Sequence, residues 1–227
     1  MLIHNIFGLL DDGEMNELFK FNYENNKKIG EVILWDKEKC EKLIREDYPQ
    51  FSKLYYSVKY KIMRVDIIRF LILHKCGGLY VDLDVYINPN FELNFSKDIV
   101  LQSINEKNQI EIQFIYCKNK GEKFLTDYIN TIEDKIIEKD KIEVYKKRIA
   151  RYIFYTTGPR SFQNFYKTQK IDNDFILIPV ERHSTKKLQI IDVKDKIKNK
   201  RFIIILSAKW THTIKELKWK PVINYKF

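Results

Sequence analysis

The sequence predicts a single α/β domain with a mixed central sheet flanked by helices. Three observations carry this. At 227 residues the chain is only slightly longer than one usual domain. Its composition, 44% hydrophobic with 7 Gly and 5 Pro, is too apolar for disorder and too poor in chain breakers for a loop-dominated fold. Short apolar runs alternate with helical stretches early and with loops late, a pattern that favours a mixed over a purely parallel sheet. No internal repeat or composition shift marks a boundary, so residues 1–227 read as one unit.

Taken in order, Leu2 to Leu10 and Glu31 to Trp35 read as short buried strands separated by a helical stretch around Glu14 to Asn26. A helix over Lys37 to Asp47 stops before Pro49. Lys61 to Cys76 places Ile62, Val65, Ile68 and Ile72 near helical spacing, and Gly77-Gly78 follows as a terminator able to take positive φ. Beyond the glycines the period becomes two: Leu79, Val81, Leu83, Val85 and Ile87 alternate with Tyr80, Asp82, Asp84 and Tyr86. This predicts one extended segment with apolar residues on one face and two acids flanked by tyrosines on the other, ended by Asn88-Pro89-Asn90. A Lys/Glu-rich helical region spans about Gly121 to Tyr152. Thr157-Gly158-Pro159 follows, and its Pro opens a helix running through Phe162 to Thr168. Phe175 to Val180 and Arg201 to Leu206 read as two more strands.

The balance of 41 Lys+Arg against 31 Asp+Glu gives +10, which suits polyanions, acidic lipid surfaces or phosphorylated ligands. The basic residues are mostly Lys interleaved with acids, the pattern of a solvated surface and not of a nucleic-acid stripe. Cys40, Cys76 and Cys117 are widely spaced, with no CxxC or Cys/His cluster for zinc, and imply a reduced compartment. The apolar start, Met1 to Leu10, lacks a basic n-region and a cleavage site, and no apolar run approaches the ~20 residues of a membrane helix. The expectation is a soluble, cytoplasmic protein. Its richness in Lys, Ile and Asn fits an A/T-rich genome.

Asp82-Leu83-Asp84 is the sharpest chemical signal. Two carboxylates on one strand face repel each other unless a cation or a donor-rich ligand lies beside them. Such a pair suits Mg²⁺ or Mn²⁺, which bind few protein carboxylates and complete an octahedron with water and phosphate oxygens. On the preceding helix, Asp66 and Arg69 lie three apart on one face and form an ion pair worth roughly 0.2–0.5 kcal/mol by themselves. His74 falls within that helix and His183 in a polar loop, and neither has a partner that marks it as a base.

From Arg64 to Asp84 the chain sets Asp66, Arg69, Gly77, Gly78, Tyr80, Asp82 and Asp84 in the register DxxRxxxLxxxGGxYxDxD. In this it resembles the DxD-type sugar transferases, which include fungal initiating α-1,6-mannosyltransferases, bacterial capsule transferases and the glucosyltransferase domains of large clostridial toxins. Ile3-His4-Asn5-Ile6-Phe7-Gly8 is similar to that family's opening strand, with Phe7 where a Trp that stacks on the donor base is usual. Val32-Ile-Leu-Trp35-Asp36 is similar to its second strand, beside the nucleotide pocket. Thr157-Gly158-Pro159 resembles its TGP turn, from which a helix directs backbone N–H groups at the donor. The family ends with a His and Trp segment that completes the metal site. Here Leu206-Ser207-Ala208-Lys209-Trp210-Thr211-His212 offers Trp210, with the His displaced and His212 or Ser207 as substitutes.

The resemblance implies one GT-A-type domain, with a nucleotide-sugar-binding half over residues 1–100 and an acceptor-side half over residues 101–227. It implies metal-dependent transfer, with anomeric retention, from a UDP- or GDP-sugar to a glycan or protein acceptor. The implied metal is Mn²⁺ or Mg²⁺, on Asp84 with Asp82 and His212. The implied catalytic residues are Asp82, Asp84 and Arg69, and the donor site adds Phe7, Trp35, Asp66, Tyr80, Gly158 and Trp210. Without an anchor the chain departs from Golgi members, which points to a bacterial or viral enzyme. Two other readings stay open: a nucleic-acid- or anionic-glycan-binding module on the +10 surface, and a transferase-like protein impaired by the displaced His.

Overall fold

The computed structural model describes residues 1–10, 13–89, 98–104 and 109–169, the side chains at 102–104 and 146 aside, and the backbone of three later strands. The chain runs β1 (Leu2–Ile6), α1 (Glu17–Asn26), β2 (Glu31–Trp35), α2 (Lys37–Lys42), a π-helical turn (Leu43–Asp47), a 3-10 turn (Pro49–Phe51), α3 (Ser52–Ser57) and α4 (Lys61–Cys76). It continues with β3 (Gly78–Val81), β4 (Val85–Ile87), β5 (Ile99–Ile104), β6 (Gln109–Cys117), α5 (Lys123–Asn130), α6 (Ile132–Asp140), α7 (Glu143–Lys147), α8 (Ile149–Thr156) and α9 (Pro159–Thr168). The later strands are β7 (Phe175–Pro179), β8 (Glu181–Thr185) and β9 (Phe202–Ser207).

Six strands form the main sheet in the order β2-β1-β3-β6-β5-β7, and β4-β9-β8 form a small one. β1 is parallel to both β2 and β3, β6 is antiparallel to β3 and β5, and β7 is parallel to β5. The sheet is mixed and flanked by helices, as the sequence predicts. Because β1 lies between β2 and β3, the β1–β2 and β2–β3 crossovers run in opposite directions across the sheet, and right-handed connections then send their helices to opposite faces. β1 and β3 run parallel, so their carboxyl ends lie at the same edge of the sheet, the edge at which ligands bind in sheets of this kind.

α4 is the hub of the core. Ile67, Ile68, Phe70, Leu71, Ile72 and Leu73 are all buried, so the helix is covered nearly all round. Phe70 meets Tyr128 and Phe162 at centroid distances of 4.8 and 5.0 Å, joining α4 to α5 and α9. Such aromatic pairs contribute about 0.5–1.5 kcal/mol each beyond their burial. A smaller cluster of Ile3, Leu79, Val81, Val85, Ile87, Val100 and Phe114 forms a second core. α4 ends where the Gly77 N–H donates to the Leu73 carbonyl at 2.8 Å. Gly77 and Gly78 take φ of +64° and +88°, and a Cβ on Gly78 would stand 2.6 Å from the Leu2 carbonyl oxygen. The pair therefore lets β3 enter the sheet directly against β1.

Several elements differ from the sequence reading. β1 stops at Ile6, and Gly8 follows at φ +85°. The Lys37 to Asp47 helix widens into a π-helical turn after Lys42, and the Gly121 to Tyr152 region is broken into four helices. β5 and β6 were not anticipated. His183 lies in β8 and not in a loop, because β8 gains a parallel partner in β9 that no local pattern announces. Among the described residues no helix is long and apolar enough to cross a membrane.

Candidate active site

The two acids stand on a turn, which corrects the single extended strand predicted for Leu79 to Ile87. The Asp82 N–H donates to the Gln113 carbonyl at 2.9 Å, extending the β3–β6 ladder by one residue. The Val85 N–H then donates to the Asp82 carbonyl at 3.0 Å, closing Asp82-Leu83-Asp84-Val85 into a tight turn. Asp is disfavoured in strands and suited to turns, and the apolar alternation survives because β4 resumes it in the other sheet, against β9. Leu83 is buried, while Asp82 and Asp84 are half-buried. Side-chain amides brace this segment: Asn5 Nδ2 donates to the Val81 carbonyl at 2.7 Å, Asn22 Nδ2 to Leu83 at 2.7 Å and Asn25 Nδ2 to Ile87 at 2.6 Å.

Asp66 and Arg69 share a helical face, as their spacing requires, but that face is interior: they are 5% and 3% exposed. Arg69 Nη2 donates to Asp66 Oδ1 at 3.1 Å, Nη1 to the Ile112 carbonyl at 2.7 Å and Nε to the Val65 carbonyl at 3.3 Å. Nη1 also lies 3.5 Å from Asp82 Oδ1, and the guanidinium sits 4.9 Å over the Tyr80 ring. The Tyr80 hydroxyl donates to the same Asp82 Oδ1 at 2.5 Å, and the Thr157 hydroxyl donates to Asp66 Oδ2 at 2.8 Å. One guanidinium thus serves two carboxylates in a low-dielectric interior. Burial pushes the Asp66 carboxyl up to about 6, against the opposing pull of Arg69 and Thr157. Burial also works against the charge on Arg69, but Asp82, Tyr80 and Asp66 together outweigh it and hold the guanidinium charged. Burial raises Tyr80 well above its ordinary value, so its hydroxyl keeps the proton it donates to Asp82.

The other predicted residues are Phe7, Trp35, Gly158, Trp210 and His212. Phe7 is half-buried just past the end of β1, its N–H bonded to the Trp35 carbonyl at 3.0 Å and its ring edge-on to Phe19 at 6.4 Å. Trp35 belongs to the core, and its indole N–H donates to His4 Nδ1 at 3.1 Å. His4 Nε2 contacts the Gly77 carbonyl at 2.8 Å, and because a carbonyl only accepts, the ring is neutral with its proton on Nε2. Burial lowers the His4 pKa in keeping with this. Gly158 begins α9, and the N–H groups of Thr157 and Gly158 both donate back to the Ile153 carbonyl, at 3.1 and 2.9 Å. The Tyr128 hydroxyl meets the Thr157 carbonyl at 2.6 Å, so this turn is docked on the interior cluster. Trp210 and His212 lie outside the described residues, and Ser207 ends β9.

The structure therefore gathers Asp66, Arg69, Tyr80 and Asp82 into one network, with Asp84 two residues further along the turn and Phe7 and Trp35 along the same sheet edge. Two hard carboxylates on one turn fit Mg²⁺ or Mn²⁺, which take few protein ligands. Among the described residues no group of three or more His, Cys, Asp and Glu assembles. Sequence reasoning missed Asn5, Asn22, Asn25, the clamp at His4 and the Thr157 hydroxyl. A signal did exist for the helix: Asn22, Asn25 and Asn26 recur at i, i+3 and i+4, the spacing of one buried face.

Residues 12–116 match the family model described as "Glycosyltransferase sugar-binding region containing DXD motif". Over 62 residues the chain is 47% identical to inositol phosphoceramide mannosyltransferase 3 of Schizosaccharomyces pombe, a match covering 27% of this chain and 17% of that protein. Over 52 residues it is 46% identical to a mannosyl phosphorylinositol ceramide synthase of Saccharomyces cerevisiae, covering 23% and 14%. The matched segment thus spans less than a fifth of either relative. Among solved structures the PaToxG glycosyltransferase aligns with 72% of this chain and 66% of its own, at 17% identity and a TM-score of 0.46.

Proposed function

We propose that this chain, whose residues 12–116 match the model of the DXD-containing sugar transferases, is a metal-dependent glycosyltransferase that moves a sugar from a nucleotide-sugar to an acceptor. The observation that carries the reading furthest is the acidic turn at the carboxyl end of β3, with Asp82 oriented from behind by Tyr80 and Arg69. Asp84 and Asp82 would hold Mn²⁺ or Mg²⁺, and a cation bound there supplies charge neutralisation for the departing diphosphate. Asp82 presents an oriented carboxylate to sugar or ribose hydroxyls, and the Phe7 ring stacks on the base. Asp66 and Arg69 act one layer below, keeping Asp82 in place. A GT-A-type single domain, retention at the anomeric carbon, and roles for Trp210 and His212 follow from the resemblance. Mannose is the sugar in both relatives' names, so mannose-bearing donors head the trial set.

The test is a thermal-shift panel of UDP- and GDP-sugars with and without Mn²⁺, because a ligand bound only by the folded state raises the melting temperature by mass action. A metal-dependent shift with one donor, lost in Asp84→Asn, is the expected result. No shift with any donor, together with salt-sensitive binding of RNA or DNA in chelator, would replace the transferase by a polyanion-binding module.

A further inference from the structure

We propose that Asn22 and Asn25 of α1, with Asn5 of β1, are positioning residues that set the conformation of the acidic turn and so the placement of Asp84. The inference rests on the transferase reading for its consequence, but on the hydrogen bonds alone for its geometry. α1 buries asparagines in preference to its apolar residues: Asn22, Asn25 and Asn26 are its buried positions, while Leu18, Phe19 and Phe21 are half-buried. Covering a side-chain amide is unfavourable unless it gains hydrogen bonds, so a helix with such a face needs polar partners across from it.

The acidic turn supplies them. Where the chain passes from the large sheet to the small one, Leu83 lies in neither β3 nor β4, and Asn22 Nδ2 reaches its carbonyl at 2.7 Å. Asn5 holds the Val81 carbonyl before the acids and Asn25 the Ile87 carbonyl after them, at 2.7 and 2.6 Å. Asn26 Nδ2 lies 3.3 Å from Asn5 Oδ1, linking helix to strand, and Phe21 stacks on Tyr86 at 6.0 Å. The middle bond matters most. The Leu83 carbonyl belongs to the peptide unit that carries the Asp84 nitrogen, so rotating that carbonyl away from Asn22 swings the Asp84 side chain out of register with Asp82.

The test compares Asn22→Leu, which keeps the size but removes the donor, with Asn16→Ala, which removes the N-terminal cap of the same helix, where Asn16 Oδ1 accepts from the Phe19 N–H at 2.9 Å. Asn25→Leu serves if Asn22→Leu does not fold. Three quantities are read: melting temperature, affinity for Mn²⁺ alone, and hydrogen exchange at the Val85 N–H that closes the turn. Both variants lower the melting temperature. Only Asn22→Leu speeds Val85 exchange and weakens Mn²⁺ binding, each by about tenfold, the scale of one buried hydrogen bond. Equal effects of the two variants on exchange, or wild-type Val85 exchange in Asn22→Leu, would overturn the proposal. If wild-type protein binds no Mn²⁺ while Val85 exchange still responds to Asn22→Leu alone, the amide brace stands and the metal reading falls.

Discussion

Arg69 donates to Asp66 and to two backbone carbonyls while touching Asp82, so its removal strands a buried carboxylate. The resemblance implies a catalytic role for Arg69, and the burial of both partners adds a role in stability. Arg69→Ala should lose about 3–5 kcal/mol, the cost of breaking a buried pair by deleting one partner. Asp66→Asn in the same chain should recover part of it. Urea midpoints of the single and double variants check this, and an unchanged midpoint for Arg69→Ala would show that the buried pair adds nothing to stability. Asp66 itself should titrate near 6, well above an ordinary carboxyl at 3.8, because burial outweighs its attraction to Arg69. Carboxyl-carbon NMR of the folded protein reads that midpoint directly, and a midpoint near 4 would mean that water reaches the cluster.

At the scale of elements, the join from α4 into β3 was legible because glycine pairs, helical spacing and a change of period are local signals. Gly78→Ala should destabilise by about 1–3 kcal/mol, since it combines strained positive φ with a clash against the Leu2 carbonyl. Gly8→Ala, at φ +85° but with nothing within 4 Å of its new Cβ, should lose less. Comparing their melting temperatures separates steric from conformational strain, and equal losses would remove the close-approach argument. The acidic turn was misread as strand for an equally physical reason. Apolar alternation records which side chains are buried, and it continues across a turn when the next strand is buried in a second sheet.

At the scale of the molecule, His4 ties three distant segments together: Trp35 at the end of β2, Gly77 at the end of α4, and β1 between them. The bridge requires a neutral ring, since a second ring proton would face the indole N–H. Burial lowers the folded pKa below the ordinary 6.5, so the unfolded chain takes up a proton first as pH falls. The stability of the bridge is therefore present above pH 6.5 and lost as pH drops below it. The stability difference between wild type and His4→Gln, measured by denaturant unfolding from pH 8 to pH 5, should shrink toward acid. A difference that stays constant would show that His4 keeps its ordinary proton affinity.

The sequence by itself determined the α/β class, the mixed sheet, the helix–glycine–strand unit from Lys61 to Val81, and the set of acids and arginine that defines the candidate site. These are readable because spacing along one element and the special needs of Gly, Pro and Asp are local. Only the tertiary structure decided that Arg69 faces the interior, that Asp82 and Asp84 stand on a turn between two sheets, that Trp35 gives its polar edge to His4, and that asparagines from α1 hold the acids in place. Each depends on residues tens of positions apart, such as Asn22 with Leu83 and Thr157 with Asp66. What a buried polar group does is fixed by the partner that satisfies it, and that partner is chosen by packing, not by its neighbours in the chain.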